Sequence, residues 1–524
     1  MGNEKVGGTL EMISDQSLGE EIKEAIAKGP TAGDCRKPRL KAVNRQQMML
    51  RPVEVEKLVA EDHEVRAVWE FVGGVDLSGY YEAIESVEGE AGRSATDPQL
   101  LISLWLYAYS KGVSSGREIS RLCEYDPAYQ WLTGLEPINH HTLSDFRVRH
   151  KEVLDGLFIE VLGLLSAEGL ISLERVMHDG SKVKACASGD TFRREERIRA
   201  HLELAREQVE AMGDPRTAEE VSPRVAKARQ RAVREKKERL ELALREMGKI
   251  RATKSSKAEK GEVRVSMTDP EARVMKQSDG GYAPSYNVQI STDAKEKVII
   301  GVGVSQSGSD YGELVPAVDR VEANVGQNPE QVVVDGGFTS RENILAMSGR
   351  EVDLIGSMGT GVSQSAGQMK RRGVDAAFYP EAFRYDAISD TYLCPAGKVL
   401  RYHDEERRVG RTDYKYRASA GDCQSCCFKP KCCPQNTQGR SVVRGVDDPV
   451  VVAHKEKMET QEAKQIYRQR GAVAEFPNAW IKEKMGLRQF RLRGLIKVGM
   501  EVLWACLAYN IQQWIRLRWR PRWA

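Results

Sequence analysis

Leu173-Glu-Arg-Val-Met-His-Asp179-Gly-Ser-Lys-Val-Lys-Ala185 is the stretch on which the fold turns. Apolar and polar residues alternate along it as in a strand, and an acid sits at its middle. Downstream, Tyr286-Asn-Val-Gln-Ile-Ser-Thr-Asp293 and Val298-Ile-Ile-Gly-Val-Gly-Val-Ser305 read as two more strands. The short polar stretch Ala294-Lys-Glu-Lys297 joins them into an antiparallel hairpin. A helix carrying Leu314, Val315, Val318 and Val321 leads to Gln331-Val-Val-Val-Asp335-Gly-Gly337, a buried strand with Asp335 at its tip. Another helix and the strand Val352-Asp-Leu-Ile-Gly-Ser357 follow. The order predicts an α/β fold, a mixed sheet flanked by helices.

Three strands followed by alternating helix and strand is the order of an RNase H-like core, assigned here to 171–189 and 265–377. Before it, 1–60 reads as a partly ordered N-terminal arm and 61–170 as an all-helical, DNA-binding domain. Leu100, Leu101, Leu104 and Leu106 form one apolar stripe of that domain, and Leu154, Leu157, Phe158, Val161 and Leu165 another. Ser115-Gly-Arg-Glu118 and Thr142-Leu-Ser-Asp145 predict two capped helix starts. A helix-turn-helix there puts Thr142, Ser144, Arg147, Arg149 and Lys151 on an exposed face toward DNA; the plainer reading is a solvated helix. Residues 190–264 read as a charged helical insertion, broken at Gly213-Asp-Pro215, with Arg231, Arg234, Lys236, Lys237 and Arg239 on its second arm. A solvated coiled face is favoured for it over DNA contact.

From 378 to 445 the helix and strand patterns stop and most of the ten cysteines appear, which reads as a Cys-rich insertion. Cys394, Cys423, Cys426 and Cys432 are the most plausible tetrahedral Zn²⁺ set, with Cys427 or Cys433 as substitutes. Reduced thiols in a loop are the alternative. The remainder, 446–524, returns to the core and ends in a basic tail. There Trp514-Ile-Arg-Leu-Arg-Trp-Arg-Pro-Arg-Trp523 either stacks on DNA or buries its rings while its arginines stay solvated.

A net charge of +3 over 524 residues neither implies nor excludes nucleic-acid binding. The opening residues lack the apolar core of a signal peptide, and no run approaches the roughly 18 apolar residues of a membrane helix. A cytoplasmic protein is therefore expected.

Three carboxylates have local contexts suited to a hard divalent cation, which takes oxygen ligands from separate elements. Asp179 precedes Gly180, which would let a DNA phosphate approach, and Lys182, which would offset its charge; alone, Asp-Gly is more often a turn. Asp335 ends an apolar strand, where sites gather. Glu475 lies in Tyr467-Arg-Gln-Arg-Gly-Ala-Val-Ala-Glu475-Phe-Pro-Asn-Ala-Trp-Ile-Lys482, where Tyr467, Arg470 and Lys482 are expected to flank it and touch DNA phosphates; taken alone, a charged helix is the safer reading. Glu456 and Glu483 are rival third acids, and Asp293 and Asp310 are left outside the site. Two ions close together serve both ends of an in-line phosphodiester displacement.

The grouping resembles insertion-sequence transposases of the DDE class, in the branch whose third acid carries a Tyr-Arg-Glu-Lys signature. Gly112-Val-Ser-Ser-Gly-Arg-Glu118, His141-Thr-Leu-Ser-Asp-Phe-Arg-Val-Arg-His150, His178-Asp-Gly-Ser-Lys-Val-Lys-Ala185, Tyr286-Asn-Val-Gln289 and Val334-Asp-Gly-Gly337 carry the likeness in order. The resemblance implies catalytic ligands Asp179, Asp335 and Glu475 for two Mg²⁺ (or Mn²⁺), with Tyr467, Arg470 and Lys482 as signature neighbours. It also implies double-stranded DNA partners, namely terminal inverted repeats and target DNA, and a homodimer at synapsis. One spacing departs: four residues separate Arg470 from Glu475, where the family pattern has three. A nuclease on the same core, or an inactive DNA-binding derivative, are the alternatives.

Overall fold

The computed structural model describes residues 52–86, 94–213, 222–359 and 362–523, together with 45, 46, 48 and 50. The chain divides into Met1–Val53, of which few residues are described, and Glu54–Ala524, which contains the helices and sheets. Most of the expected N-terminal arm, and Asp214 and Pro215 of the expected helix break, lie outside the described residues.

Helices α1 (Glu64–Gly73), α2 (Pro98–Ser110), α3 (Gly116–Tyr125), α4 (Pro127–Thr133), α5 (His140–Arg149) and α6 (Lys151–Ala167) come first. Both expected capping boxes are absent. Ser115 makes no side-chain cap bond, and α5 starts earlier than Thr142 because Asn139 Oδ1 accepts from the His141 N–H at 2.8 Å. Between them, Asp126 caps α4 at Pro127, a helix the sequence reading passed over.

Strands β1 (Arg175–Lys184), β2 (Arg273–Lys276), β3 (Tyr282–Asp293), β4 (Ile299–Ser305), β5 (Gln331–Val333) and β6 (Asp353–Ile355) build one mixed sheet. Its order is β3-β1-β5-β6, with β2 and β4 both paired to the other edge of β3. β1 is antiparallel to β3, Asp179 facing Ile290, and parallel to β5, Met177 facing Val333. β3 is buried from Pro284 through Asp293, as a strand covered on both faces must be. Asp293 is a turn cap: its carboxylate accepts from the backbone N–H groups of Leu173 (2.9 Å) and Lys295 (3.0 Å).

Between β1 and β2, α7 (Glu195–Gly213) and α8 (Pro223–Ala252) pack Ile198, Leu202 and Ala205 on Leu240, Ala243 and Met247. Arg231 and Arg234 face outward. After β4 come α9 (Leu314–Val325) and, between β5 and β6, α10 (Arg341–Gly349).

The Cys-rich segment is not patternless. It holds a second, antiparallel sheet of β7 (Arg384–Asp386), β8 (Thr391–Leu393), β9 (Val399–Arg408), β10 (Arg411–Arg417) and β11 (Ser441–Asp447), paired in chain order. The sequence reading missed these strands because most of β9 is exposed and charged, so no apolar alternation marks it.

The chain returns through α11 (Gln461–Arg468), α12 (Phe476–Glu483) and α13 (Leu495–Trp514). Helix α13 is apolar around most of its circumference and is buried accordingly. It packs between the leading helices and the sheet: the Trp504 indole N–H donates to the Arg147 carbonyl at 3.2 Å. The Asn510 amide pairs with both the N–H (2.8 Å) and the C=O (2.7 Å) of Ile299 in β4. One apolar cluster thus runs from Val65 through the sheet to Trp519. Among the described residues, no helix is long and apolar enough to cross a membrane.

Candidate active site

Strand β5 stops at Val333 while its neighbour β1 continues to Lys184, so space opens beside β1 beyond the carboxyl end of β5. Asp179 and Asp335 flank that opening. The chain leaves β5 in a tight turn: the Asp335 Oδ1 atom accepts from the Gly337 N–H at 2.7 Å, and its carbonyl from the Thr339 hydroxyl at 3.0 Å. A Cβ on Gly336 would lie 3.0 Å from the Ser357 carbonyl, a tight approach that a glycine avoids.

Alternation along β1 puts Met177, Asp179 and Ser181 on one face and His178, Gly180 and Lys182 on the other. On the first face, Ala463, Ile466, Val473 and Ala474 pack on Met177, Val333 and Ile355. That packing lays α11 and α12 across the sheet and carries the third acid to the first. Arg470 Nη1 lies 3.8 Å from Asp179 Oδ1, and Nη2 lies 3.2 Å from Glu475 Oε1. The Tyr467 ring lies 5.8 Å from the same guanidinium. Lys482 Nζ donates to Ser181 Oγ at 2.5 Å and to the Lys182 carbonyl at 3.1 Å. Asn478, which the sequence reading did not single out, points its amide at Asp179 Oδ2, 3.4 Å away. Its position three residues after Glu475, a helical neighbour spacing, was the available signal.

The irregular spacing has a structural resolution. Residues Gly471–Glu475 form a π-helical turn between α11 and α12. Such a turn absorbs one extra residue, so four intervening residues bring Arg470 and Glu475 together as three would in an α-helix.

On the opposite face, Asp310 accepts from Asn287 Nδ2 (2.6 Å), Gln289 Nε2 (3.1 Å) and Lys182 Nζ (3.2 Å). A Cβ on Gly180 would fall 2.5 Å from Asp310 Oδ1. Gly180 therefore makes room for a carboxylate, not for a phosphate as its position beside Asp179 first implied. His178 is buried between Gln289 (2.7 Å) and Ser291 (2.9 Å), and burial lowers its pKa to about 4, so it is neutral.

Burial raises the Asp179 pKa to about 6; Arg470 opposes this, while the charges of Asp335 and Glu475 add to it. The Asp179 side chain is 17% exposed and that of Glu475 56%. All three acids thus act electrostatically on one region. Among the described residues, however, no three His, Cys, Asp or Glu side chains already sit close enough to hold a metal ion.

The family described as "Transposase DDE domain" matches residues 393–515, and "Transposase domain (DUF772)" matches 53–149. These two matches indicate an insertion-sequence transposase of the DDE class. The first match includes Tyr467, Arg470, Glu475 and Lys482; neither includes Asp179 or Asp335. No curated protein and no solved structure matches the chain significantly.

In this transposase Arg147 is not on an exposed face. It is 6% exposed, its guanidinium donates to the Ser114 carbonyl at 2.8 Å, and it stacks 4.8 Å from the Trp105 ring centre. Its charge also acts on buried Glu501, so it belongs to the helical interior. Arg149 is exposed. The tail divides likewise: Trp514 and Trp519 are buried, while Arg522 pairs with Glu70 at 2.7 Å.

Cys394, Cys423, Cys426, Cys432 and Cys433 line one small cavity of about 20 Å³, and all are free thiols. The Lys398 N–H donates to Cys394 Sγ and the Arg440 N–H to Cys423 Sγ, each at 3.2 Å. Burial pushes the Cys432 thiol up to about 12.

Proposed function

We propose that this transposase binds the terminal inverted repeats of its element, cleaves there by hydrolysis, and joins the freed 3′ end to target DNA. The sheet order, with one acid within β1 and another just past the end of the adjacent β5, supports an RNase H-like core. The observation that carries the reading is Arg470, which holds Glu475 beside Asp179 although the two acids come from distant parts of the chain.

Asp179, Asp335 and Glu475 form an all-oxygen donor set, which fits Mg²⁺ or Mn²⁺. Bound there, a cation pair supplies an activated attacking oxygen and a stabilised leaving oxygen. The side chains must first draw together, with Arg470 turning out of the gap between Asp179 and Glu475 toward a DNA phosphate. Lys482 holds the Asp179 strand, Asn478 orients the Asp179 carboxylate, and Tyr467 supports Arg470. Arg149 meets the DNA backbone, and Lys182, on the face of β1 opposite Asp179, does so only on leaving Asp310. Synapsis of two ends makes the working form a DNA-bound homodimer, acting in the cytoplasm. The thiols of Cys394, Cys423, Cys426 and Cys432 suit a structural Zn²⁺, whose binding would close them around it.

Purified protein incubated with an element end and Mg²⁺ or Mn²⁺ tests this. Wild type is expected to cut and join, and Asp179→Ala to do neither. Equal cleavage by both removes Asp179 from the site; cleavage without joined products reduces the enzyme to a nuclease.

A further inference from the structure

Behind Asp179, the pairing of β1 with β3 lays a row of polar residues across the sheet. Its register sets His178 opposite Ser291, Gly180 opposite Gln289 and Lys182 opposite Asn287. Alternation along the strands places all six on the face away from Asp179. His178, Asn287, Gln289 and Ser291 are buried there. Polar side chains in a sheet core cost stability unless they are paired, and a connected set of them holds its members rigidly. One carboxylate organises this set.

Asp310, from the loop between β4 and α9, accepts from Asn287 and Gln289 through Oδ1 and from Lys182 through Oδ2. Because Gln289 gives an Nε2 hydrogen to Asp310, its Oε1 faces His178 Nε2 at 2.7 Å. That ring nitrogen therefore carries a hydrogen, and Nδ1 meets the Ser291 hydroxyl at 2.9 Å. Through Gln289, Asp310 thus orients the imidazole of the residue before Asp179. Asn287 Oδ1 is buried and has no hydrogen-bond partner, so the bond to Asp310 is what this side chain supplies.

The same loop is tied to the second acid. The Asn343 amide donates to the Tyr311 carbonyl at 3.0 Å and to the Phe338 carbonyl at 2.6 Å, which joins the residue after Asp310 to the turn after Asp335. The Phe338 ring meets the His178 ring edge-on, with centres 5.0 Å apart. A Cβ on Gly337 would lie 3.9 Å from the Asp310 Cβ, so loop and turn are in van der Waals reach.

We propose that Asp310 is a positioning residue: from the face opposite Asp179 it locks the backbone at Asp179 to the turn after Asp335, so that the two carboxylates are held at a set separation for the cations. This deepens the proposed function and rests on it for the cations, whereas the bracket itself belongs to the metal-free protein. The Lys182 bond is the one part that DNA can draw away, because Oδ1 keeps both amides when Lys182 leaves.

The test compares Asp310→Ala with Asp310→Asn in the full chain. Both remove the charge, but asparagine can turn its oxygen to the two amides and keep the bracket, while alanine keeps none of it. Mn²⁺ titrations, followed by the electron paramagnetic resonance signal of the free ion, are expected to show affinity about tenfold weaker in Asp310→Ala and within about twofold of wild type in Asp310→Asn, tenfold being the low end for loss of a group that orients a metal ligand. Hydrogen exchange in chelator, read by mass spectrometry, is expected to rise around Asp179 and from Gly336 to Asn343 in the alanine variant and not in the asparagine variant. Gly180→Ala attacks the bracket from the other side, since its methyl would fall 2.5 Å from Asp310 Oδ1, and the same Mn²⁺ loss is expected. Equal Mn²⁺ losses in the two Asp310 variants overturn the proposal, because charge and not bonding would then be at work. Wild-type affinity and exchange in Asp310→Ala overturn it as well. Asp179→Ala separates this from the catalytic reading: if it binds Mn²⁺ as wild type does, that reading fails, while the exchange comparison, which uses no metal, still decides the bracket.

Discussion

Replacing Asp179 by asparagine should make the metal-free protein more stable. An acid moved from an ordinary value near 3.8 to about 6 binds its proton more tightly in the folded state than in the unfolded one. That preference is worth about 3 kcal/mol at roughly 1.4 kcal/mol per tenfold. The sign follows from linkage. Below about pH 4 the carboxyl is protonated in both states and costs nothing. As pH rises from about 4 to about 6 the unfolded chain ionises first, and folding stability falls. Above pH 6 the full penalty stands. Asparagine keeps the shape and cannot ionise, so Asp179→Asn is expected to gain about 3 kcal/mol at pH 8 and roughly half that at pH 5. Urea unfolding in chelator at the two pH values measures it. Adding Mn²⁺ should then stabilise wild type more than the variant, because only wild type offers the carboxylate. A variant no more stable than wild type at pH 8 would refute the burial argument.

Deleting Ala472 turns the π-helical turn into a regular one and leaves Arg470 and Glu475 on one face, so cleavage is expected to survive, whereas inserting an alanine beside Ala472 should abolish it. Loss of cleavage on deletion would mean that the turn itself is needed. Arg147→Ala should lower stability by about 3 kcal/mol, because it unpairs buried groups around Glu501 and Trp105, with duplex affinity preserved in the folded fraction. Arg149→Ala should keep stability and lower the salt dependence of duplex binding by about 0.9; a melting comparison beside a salt titration separates the two. Protein purified without chelator should hold about one zinc per chain by elemental analysis, and Cys432→Ser should lose it; metal-free protein in zinc-supplemented buffer would leave the thiols without that role.

The sequence made the main sheet legible because burial on both faces writes itself as apolar runs. Val332-Val-Val334 and Ile299-Ile300 admit few other readings. The second sheet left no such mark, since β9 carries His403, Asp404, Glu405, Glu406, Arg407 and Arg408 on a largely exposed strand. Arg147 misled for a related reason. Its neighbours in sequence are those of a solvated helix, and only the distant Trp105 and Glu501 explain why a cation is held inside. Asp310 was set aside because its partners Lys182, Asn287 and Gln289 come from two other strands. The acids were visible one at a time, from strand ends and the Tyr-Arg-Glu-Lys pattern. Their mutual geometry was not, and the extra residue before Glu475 is interpretable only once the π-helical turn is seen.

That turn bears on how the site is kept charged. Three carboxylates converging without cations repel one another, and the raised Asp179 pKa is the measure of that repulsion together with burial. Arg470 fills the gap between the two acids with a positive charge. It offsets Asp179 and Glu475 without approaching ideal geometry with Asp179, at 3.8 Å. In the proposed function, cations bound by Asp179, Asp335 and Glu475 would take over its electrostatic task, and the group released would be the one best shaped to grip a phosphate with two parallel bonds. Under the proposed function Arg470 would be a counterion in the resting protein and a DNA contact in the loaded one, two roles that exclude each other in time. On that reading the constraint is the geometry and not the residue count between Arg470 and Glu475: the arginine would have to reach both acids before the metal arrives and neither afterwards.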